Sequence, residues 1–343
     1  MKTNGIIGIL LLSTIFFTVA CEDDKKPRQI IEIEEKQTEK SIEIKKYDFI
    51  IDFFAKKTAA DLQAIYPDLN SQYHLFPDYF CAQIIGIGTP KHPSFYYSLE
   101  KFVNDPDILK MNADIKQKYD NYASIHQAIS ATFNRYHQLF PNRIIPEIIY
   151  FNSGLNFNLV ALDSALAIGL DMYLGEKYPY YSMARFPKYK TYASNEIYLN
   201  RDVAKAWMST EFEDLDKDLI GKAIYQGKLL YTTQFVAQCN HDSILFAYSK
   251  KQVDWVEENF SKLWKWMVDE KLIFENNPSK IRPYFSEGPF TSAVSKECPP
   301  RIAEYLGYRI VKAYMEKNPE TKFEALMYIP SKTIFNSSKF KPI

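Results

Sequence analysis

Between residues 144 and 175 the large apolar residues stop recurring at intervals of three and four and run together instead. Ile144, Ile145, Ile148, Ile149, Tyr150 and Phe151 are β-branched or aromatic, and Asn152-Ser153-Gly154 follows them as a turn. Residues 157–162 and 165–170 make two further apolar runs, the first closed by Asp163. Short runs of this composition bounded by turn residues read as strands. The stretch therefore predicts a small sheet, a hairpin or three strands, with 165–170 innermost and Gly175 turning the chain out. Almost everywhere else the hydrophobic period is helical, so the expected fold class is α+β, mainly helical with a small inserted β-sheet.

Ile42 and Ile44 alternate with Glu43 and Lys45 as a short first strand. Helical spacing then predicts a helix over 49–65 that Pro67 stops, an apolar helix around Phe80 and Ile84 broken by Gly86-Ile87-Gly88-Thr89-Pro90, and another over 96–103. The longest pattern, 107–140, carries Ile115, Tyr119, Tyr122, Ile125, Ile129, Phe133 and Tyr136 and ends at Pro141. Beyond the sheet, Asn195 or Ser194 is placed to cap a helix reaching about 208, and the acidic run 214–218 opens another over 219–234. Ser249 and Gln252 have the spacing of a capping box, with Val253 to Met267 following at helical intervals. Trp264 and Trp266 in that helix read as packing groups. Ile302, Leu306, Ile310 and Tyr314 mark a last amphipathic helix. No repeat and no internal linker divides the chain, which predicts a single domain over 42–343.

The N-terminus carries an address. Lys2 is followed by an apolar run over 5–20, of signal-peptide length, ending in Thr18-Val19-Ala20-Cys21. This resembles a bacterial lipobox, with Thr where Leu is usual. The expectation is a lipoprotein signal peptide over 1–20, a lipidated Cys21 and a flexible charged tether over 21–41. Only Cys81, Cys239 and Cys298 then remain, too few for a disulfide framework. Formal net charge is zero, which argues against bulk electrostatic binding of nucleic acid. The partners expected are a lipid bilayer, through Cys21, and other proteins.

Standard catalytic signatures are missing. None of the five histidines has a second histidine one turn away, no GxSxG elbow exists, and Gly86-Ile87-Gly88 runs into Thr-Pro rather than a phosphate loop. His126 and His137 are eleven residues apart, about 16 Å along a helix and too far for one metal. Cys239-Asn240-His241-Asp242 lacks a second ligand pair. Asp163, Asp171 and Glu196 surround the sheet segment, and paired carboxylates can hydrolyse glycosidic bonds, but acidic residues more often serve as caps or solvated groups. No catalytic residue, metal ligand or cofactor is assigned.

The residues do carry a family resemblance. Gly169-Leu170-Asp171-Met172-Tyr173-Leu174-Gly175 with Tyr180-Tyr181 resembles the hallmark of GldB, the gliding-motility lipoproteins of Bacteroidota. The match continues in residues 224–231, in Trp255 and Trp264, in Pro289-Phe290-Thr291, in Pro299-Pro300-Arg301 with Gly307-Tyr308, and in residues 338–342. It spans 42 to the C-terminus, departing from the family at Pro300, where glycine is usual, and at Tyr308, where tryptophan is. The resemblance implies a noncatalytic, lipid-anchored envelope protein, in the inner or outer membrane and facing the periplasm. It would be required for gliding and would contact components of the gliding and type IX secretion apparatus. GldB is also similar, more remotely, to predicted zinc-dependent peptidases with an HExxH helix, which implies a zincin-like fold. That helix falls at 200–207 and a later acidic ligand at Gln226, so the metal site is degenerate. Asp171, Gln226, Gly227 and Arg301 are the residues expected at the degenerate cleft. The alternative is an envelope hydrolase acting on peptide or glycan through an unrecognised site.

Overall fold

The computed structural model describes residues 43–49, 56–119 and 122–342; the expected signal peptide, Cys21, the tether and Ile42 lie outside them. Four strands form one mixed sheet: β1 (Lys46–Phe49), β2 (Glu147–Phe151), β3 (Leu159–Ala161) and β4 (Ala165–Gly169), in the order β1-β2-β4-β3. β2 and β4 run parallel at the centre, Glu147 opposite Ala165 and Phe151 opposite Gly169. β1 adds parallel to β2, and β3 antiparallel to β4. Every residue of β4 and the last four of β2 are buried. A strand covered on both faces has no polar side to alternate, which is why both read as unbroken apolar runs. The expected three strands become four, because β1 pairs with a strand far along the chain and parallel pairing demands a long crossover. The first strand also starts later than its alternation suggested. Ile44 is buried and the Lys45 carbonyl accepts from the Ile148 N–H at 2.9 Å, but the strand itself begins at Lys46.

The crossover consists of α1 (Ala59–Gln72), α2 (Phe76–Tyr79) running into a π-helical turn over Phe80–Ile84, α3 (Phe95–Val103), α4 (Pro106–Lys118) and α5 (Ala123–Leu139). Pro67 lies inside α1 instead of ending it. Its missing N–H leaves the carbonyl four residues back without a helical donor; that residue, Gln63, is exposed to water. Burial of Leu62, Tyr66 and Leu69 on both sides of the proline carries the helix through. The expected single helix over 107–140 is two. Tyr119 ends α4, and Tyr122 opens α5 with a left-handed backbone, φ +71°. Both tyrosines are buried, Tyr122 stacked on Tyr150 with centroids 5.5 Å apart.

After the sheet come α6 (Pro179–Met183), α7 (Lys188–Ala193), α8 (Leu199–Glu211), α9 (Leu219–Val236), α10 (Asp242–Leu245), α11 (Lys250–Asp269), α12 (Pro278–Ile281) and α13 (Ile302–Lys317). Two short helices, α14 (Phe323–Tyr328) and α15 (Ser331–Ser338), follow the one expected to be last. The caps fall where sequence placed them: Asn195 begins a 3-10 turn leading into α8, Asp218 accepts from the Gly221 N–H at 2.8 Å, and Ser249 with Gln252 closes a capping box. α11, not 107–140, contains the longest uninterrupted helix among the described residues, at 20 residues.

Buried side chains gather in two cores. One surrounds the sheet, walled by α1 to α5 and α8; the other lies among α9, α11 and α13. α9 lines both: Tyr225, Leu229 and Val236 face the first, and Ala223, Ile224, Leu230 and Tyr231 the second. α9 and α13 cross at Gly227 and Gly307 with their backbones in contact. A Cβ on Gly307 would lie 1.6 Å from the Ala223 carbonyl oxygen, and one on Gly227 would lie 2.2 Å from the Gly307 carbonyl carbon. Only residues without side chains fit such a crossing. Among the described residues no helix is long and apolar enough to cross a membrane. Cys81, Cys239 and Cys298 are buried and unbridged.

Candidate functional site

The end of β4 leads into a buried turn over Leu170–Tyr173. Asp171 is fully buried there, and its carboxylate accepts from the Ser153 N–H at 2.8 Å, the Ser153 hydroxyl at 2.7 Å and the Leu155 N–H at 2.6 Å. Burial pushes this carboxyl up to about 6, against the three donors, which favour the ionised form. Asp171 thus ties the loop after β2 to the end of β4. The tyrosines of the same stretch act on the backbone. The Tyr181 hydroxyl donates to the Asp171 carbonyl at 2.7 Å and accepts from the Leu174 N–H at 3.0 Å. Tyr119 donates to the Tyr173 carbonyl at 2.7 Å.

Tyr173 connects this turn to a seam of charge between the two cores. Its hydroxyl donates to Asp202 of α8 at 3.0 Å. Arg201 bonds the same carboxylate through Nε at 2.7 Å and reaches the Ile244 carbonyl of α10. One turn along α8, Lys205 pairs with Glu304 of α13 at 2.8 Å. Arg301 begins α13 with a left-handed backbone, φ +55°, sits 3.9 Å from Glu304 and 3.5 Å from the exposed Glu287, and donates to the Phe246 carbonyl. Burial would raise the Glu304 carboxyl, but Lys205 and Arg301 hold it below its ordinary range. The seam is a nearly self-neutralised network in which each inward carboxylate already has a cation.

The residues singled out from the sequence each hold a separate place in the fold. Asp171 secures the turn. Gln226 is half-buried on α9, its Oε1 without a hydrogen-bond partner. Gly227 is the helix crossing, and Arg301 belongs to the charged seam. Asp163 and Asp171 lie at opposite ends of β4, whose five residues span about 13 Å. That exceeds the roughly 9.5 Å limit for a glycosidase pair. Glu196 is exposed and paired with Lys118 at 2.8 Å. His126 contacts the Tyr150 hydroxyl at 3.1 Å and the Ile44 carbonyl at 3.0 Å, bracing α5 on the sheet. Trp264 packs on Phe335 and Phe340. Among the described residues no three His, Cys, Asp or Glu side chains form a group able to hold a metal ion.

Sequence reasoning missed Arg201, Lys205 and Glu304. The i,i+4 spacing of Arg201 and Lys205 places two cations on one face of α8, and that was the available signal. Arg201 pairs with its neighbour Asp202, but Glu304 lies 99 residues beyond Lys205, and nothing local announces that pair. A family model described as gliding motility protein GldB matches residues 29–342 of the chain. No curated protein and no solved structure matches it.

Proposed function

The chain belongs to the GldB family of gliding-motility lipoproteins, and from that premise we propose that it works without catalysis. On this reading it is a lipid-anchored envelope component that supports the gliding and type IX secretion machinery through protein–protein contacts. The charged seam carries the reading. A general acid or base needs a carboxylate with a face open to substrate. Asp202 is engaged by Arg201 and Tyr173, and Glu304 by Lys205 and Arg301, so both bind the protein to itself. We read the fold as metallopeptidase-like with its ligand set lost. Residues 200–207 are helical in α8, which packs beside β3, β4 and α9. They offer Arg201, Asp202 and Lys205 where a zinc site needs imidazoles, and Gln226 offers a neutral amide.

Two measurements test this. Crosslinking of the full-length protein in the envelope of gliding cells is expected to recover components of the motility or secretion apparatus. A Gln226→Ala strain is expected to glide at the wild-type rate. Loss of gliding by that variant while it stays folded and abundant overturns the noncatalytic reading. So does hydrolysis of envelope peptide or glycan that vanishes with the substitution; either result favours an envelope hydrolase.

A further inference from the structure

Residues 176–193 leave the domain and return to their starting point. The Gly175 N–H donates to the Ser194 carbonyl at 2.9 Å, and Leu174 forms a bridge with Asn195, closing the neck of the excursion. α6 and α7 make up the loop, joined by Phe186-Pro187. Its tyrosines hold it down from within: Tyr181 is fully buried, stacked on Phe186 at 5.5 Å. Tyr178 and Tyr180 donate to Asp114 and Asp107 of α4, and Tyr192 to the Tyr248 carbonyl. With Tyr178, Tyr180, Tyr181 and Tyr192 engaged with the domain, the outer side carries a different chemistry. Lys177, Arg185 and Lys188 are exposed, Lys190 lies 3.8 Å over the Phe186 ring, and Met183 and Tyr189 of the same loop are 68% and 38% exposed. Within residues 176–193 four cations stand against the single carboxylate of Glu176, in a chain whose formal net charge is zero. The concentration of positive charge is therefore local.

We propose that this face of the α6–α7 loop docks on the surface of an anionic lipid bilayer. Cations around an exposed apolar tip and a tyrosine match what an anionic headgroup layer offers: negative charge at the surface, and a shallow apolar level into which Met and Tyr side chains insert. The inference rests on the lipid-anchored reading. Residues 22–42 separate Cys21 from the first described residue, and 21 residues reach at most about 75 Å. The bilayer is thus always within reach, and the loop decides which face of the domain meets it. Attraction by each cation near an anionic surface is worth about fivefold in occupancy.

The test uses the full-length lipidated chain with Met183→Cys, labelled with a polarity-sensitive thiol-reactive dye. Cys81, Cys239 and Cys298 are buried, so the label goes to position 183. The chain is mixed with vesicles of phosphatidylcholine alone or with phosphatidylglycerol added. It is expected to float with both, while the dye shifts to the blue and escapes an aqueous quencher only on the anionic vesicles. Adding Lys177→Gln, Arg185→Gln and Lys188→Gln should leave flotation intact and abolish the dye response, with occupancy falling on the order of a hundredfold. The same dye at Leu215→Cys, 77% exposed and outside this loop, should not respond. Flotation with both vesicles while position 183 stays in water overturns the docking surface alone. Flotation with neither overturns the anchor and the surface together. A dye response that appears only when envelope proteins are added assigns the face to an acidic protein and overturns the lipid proposal.

Discussion

At the centre of the sheet-side core, positions are set by hydrogen bonds, whereas at the centre of the helical core they are set by contact between backbones. β2 and β4 pair along their length, Asp171 gathers three donors from the neighbouring loop, and tyrosine hydroxyls occupy carbonyls of the turn that follows. α9 and α13 instead meet through Gly227 and Gly307, with rings such as Phe246, Phe260 and Tyr305 packed around them. A polar network tolerates small shifts as long as its bonds survive. A crossing without side chains tolerates almost none.

Gly307→Ala strikes the helical core where this contrast is sharpest. Its methyl would occupy the place of the Ala223 carbonyl oxygen, so the helices must separate, at a cost of at least about 3 kcal/mol. Denaturant unfolding of the purified variant measures it, and a loss below about 1 kcal/mol would mean that the crossing is compliant. In the sheet-side core, Asp171→Asn sets an amide nitrogen against the Ser153 or the Leu155 N–H, whichever way the amide is turned, and is expected to cost about 1–3 kcal/mol. This group also carries a pH signature. Its folded carboxyl, at about 6, lies above the ordinary 3.8. Its contribution to stability is therefore full below that ordinary value and is lost as pH rises through 6, by up to roughly 3 kcal/mol. The difference in unfolding free energy between wild type and variant should shrink over that window. An unchanged difference would show that Asp171 titrates alike in both states. The smallest effect belongs to the seam joining the two cores. Lys205→Met, Glu304→Gln and the double variant should give a coupling of about 1 kcal/mol, read from a thermodynamic cycle. Zero coupling would mean that this ion pair takes no part in joining the two cores.

How far the sequence could be read follows the same division. β2 and β4 were legible because burial on both faces writes an unbroken apolar run. β1 was legible as a strand but not as a member of this sheet, since a parallel partner leaves no local mark. The capping box at Ser249 and Gln252 is local chemistry and was read directly. Pro67 and the division between α4 and α5 were misread for opposite reasons. Packing of Leu62, Tyr66 and Leu69 overrides the proline's local preference in α1. Ahead of α5 a continuous helical spacing conceals the left-handed backbone of Tyr122, for which the neighbouring Asp120-Asn121 in the sequence was the available sign. Asp171 and Arg301 stood out through their family motif. Their roles, a hub of donors and a pair with Glu304, are set by distant segments and could not be read from spacing.

α9, the helix that lines both cores, also bears on how such a chain can be inherited. Val236 and Leu229 belong to one interior, Ala223 and Ile224 to the other. Neither half can be lost, exchanged or grafted onto another protein without taking a wall from what remains, so the two interiors are expected to be inherited together. Novelty has an easier entrance at the excursion over 176–193, whose ends already meet and where added sequence opens neither interior.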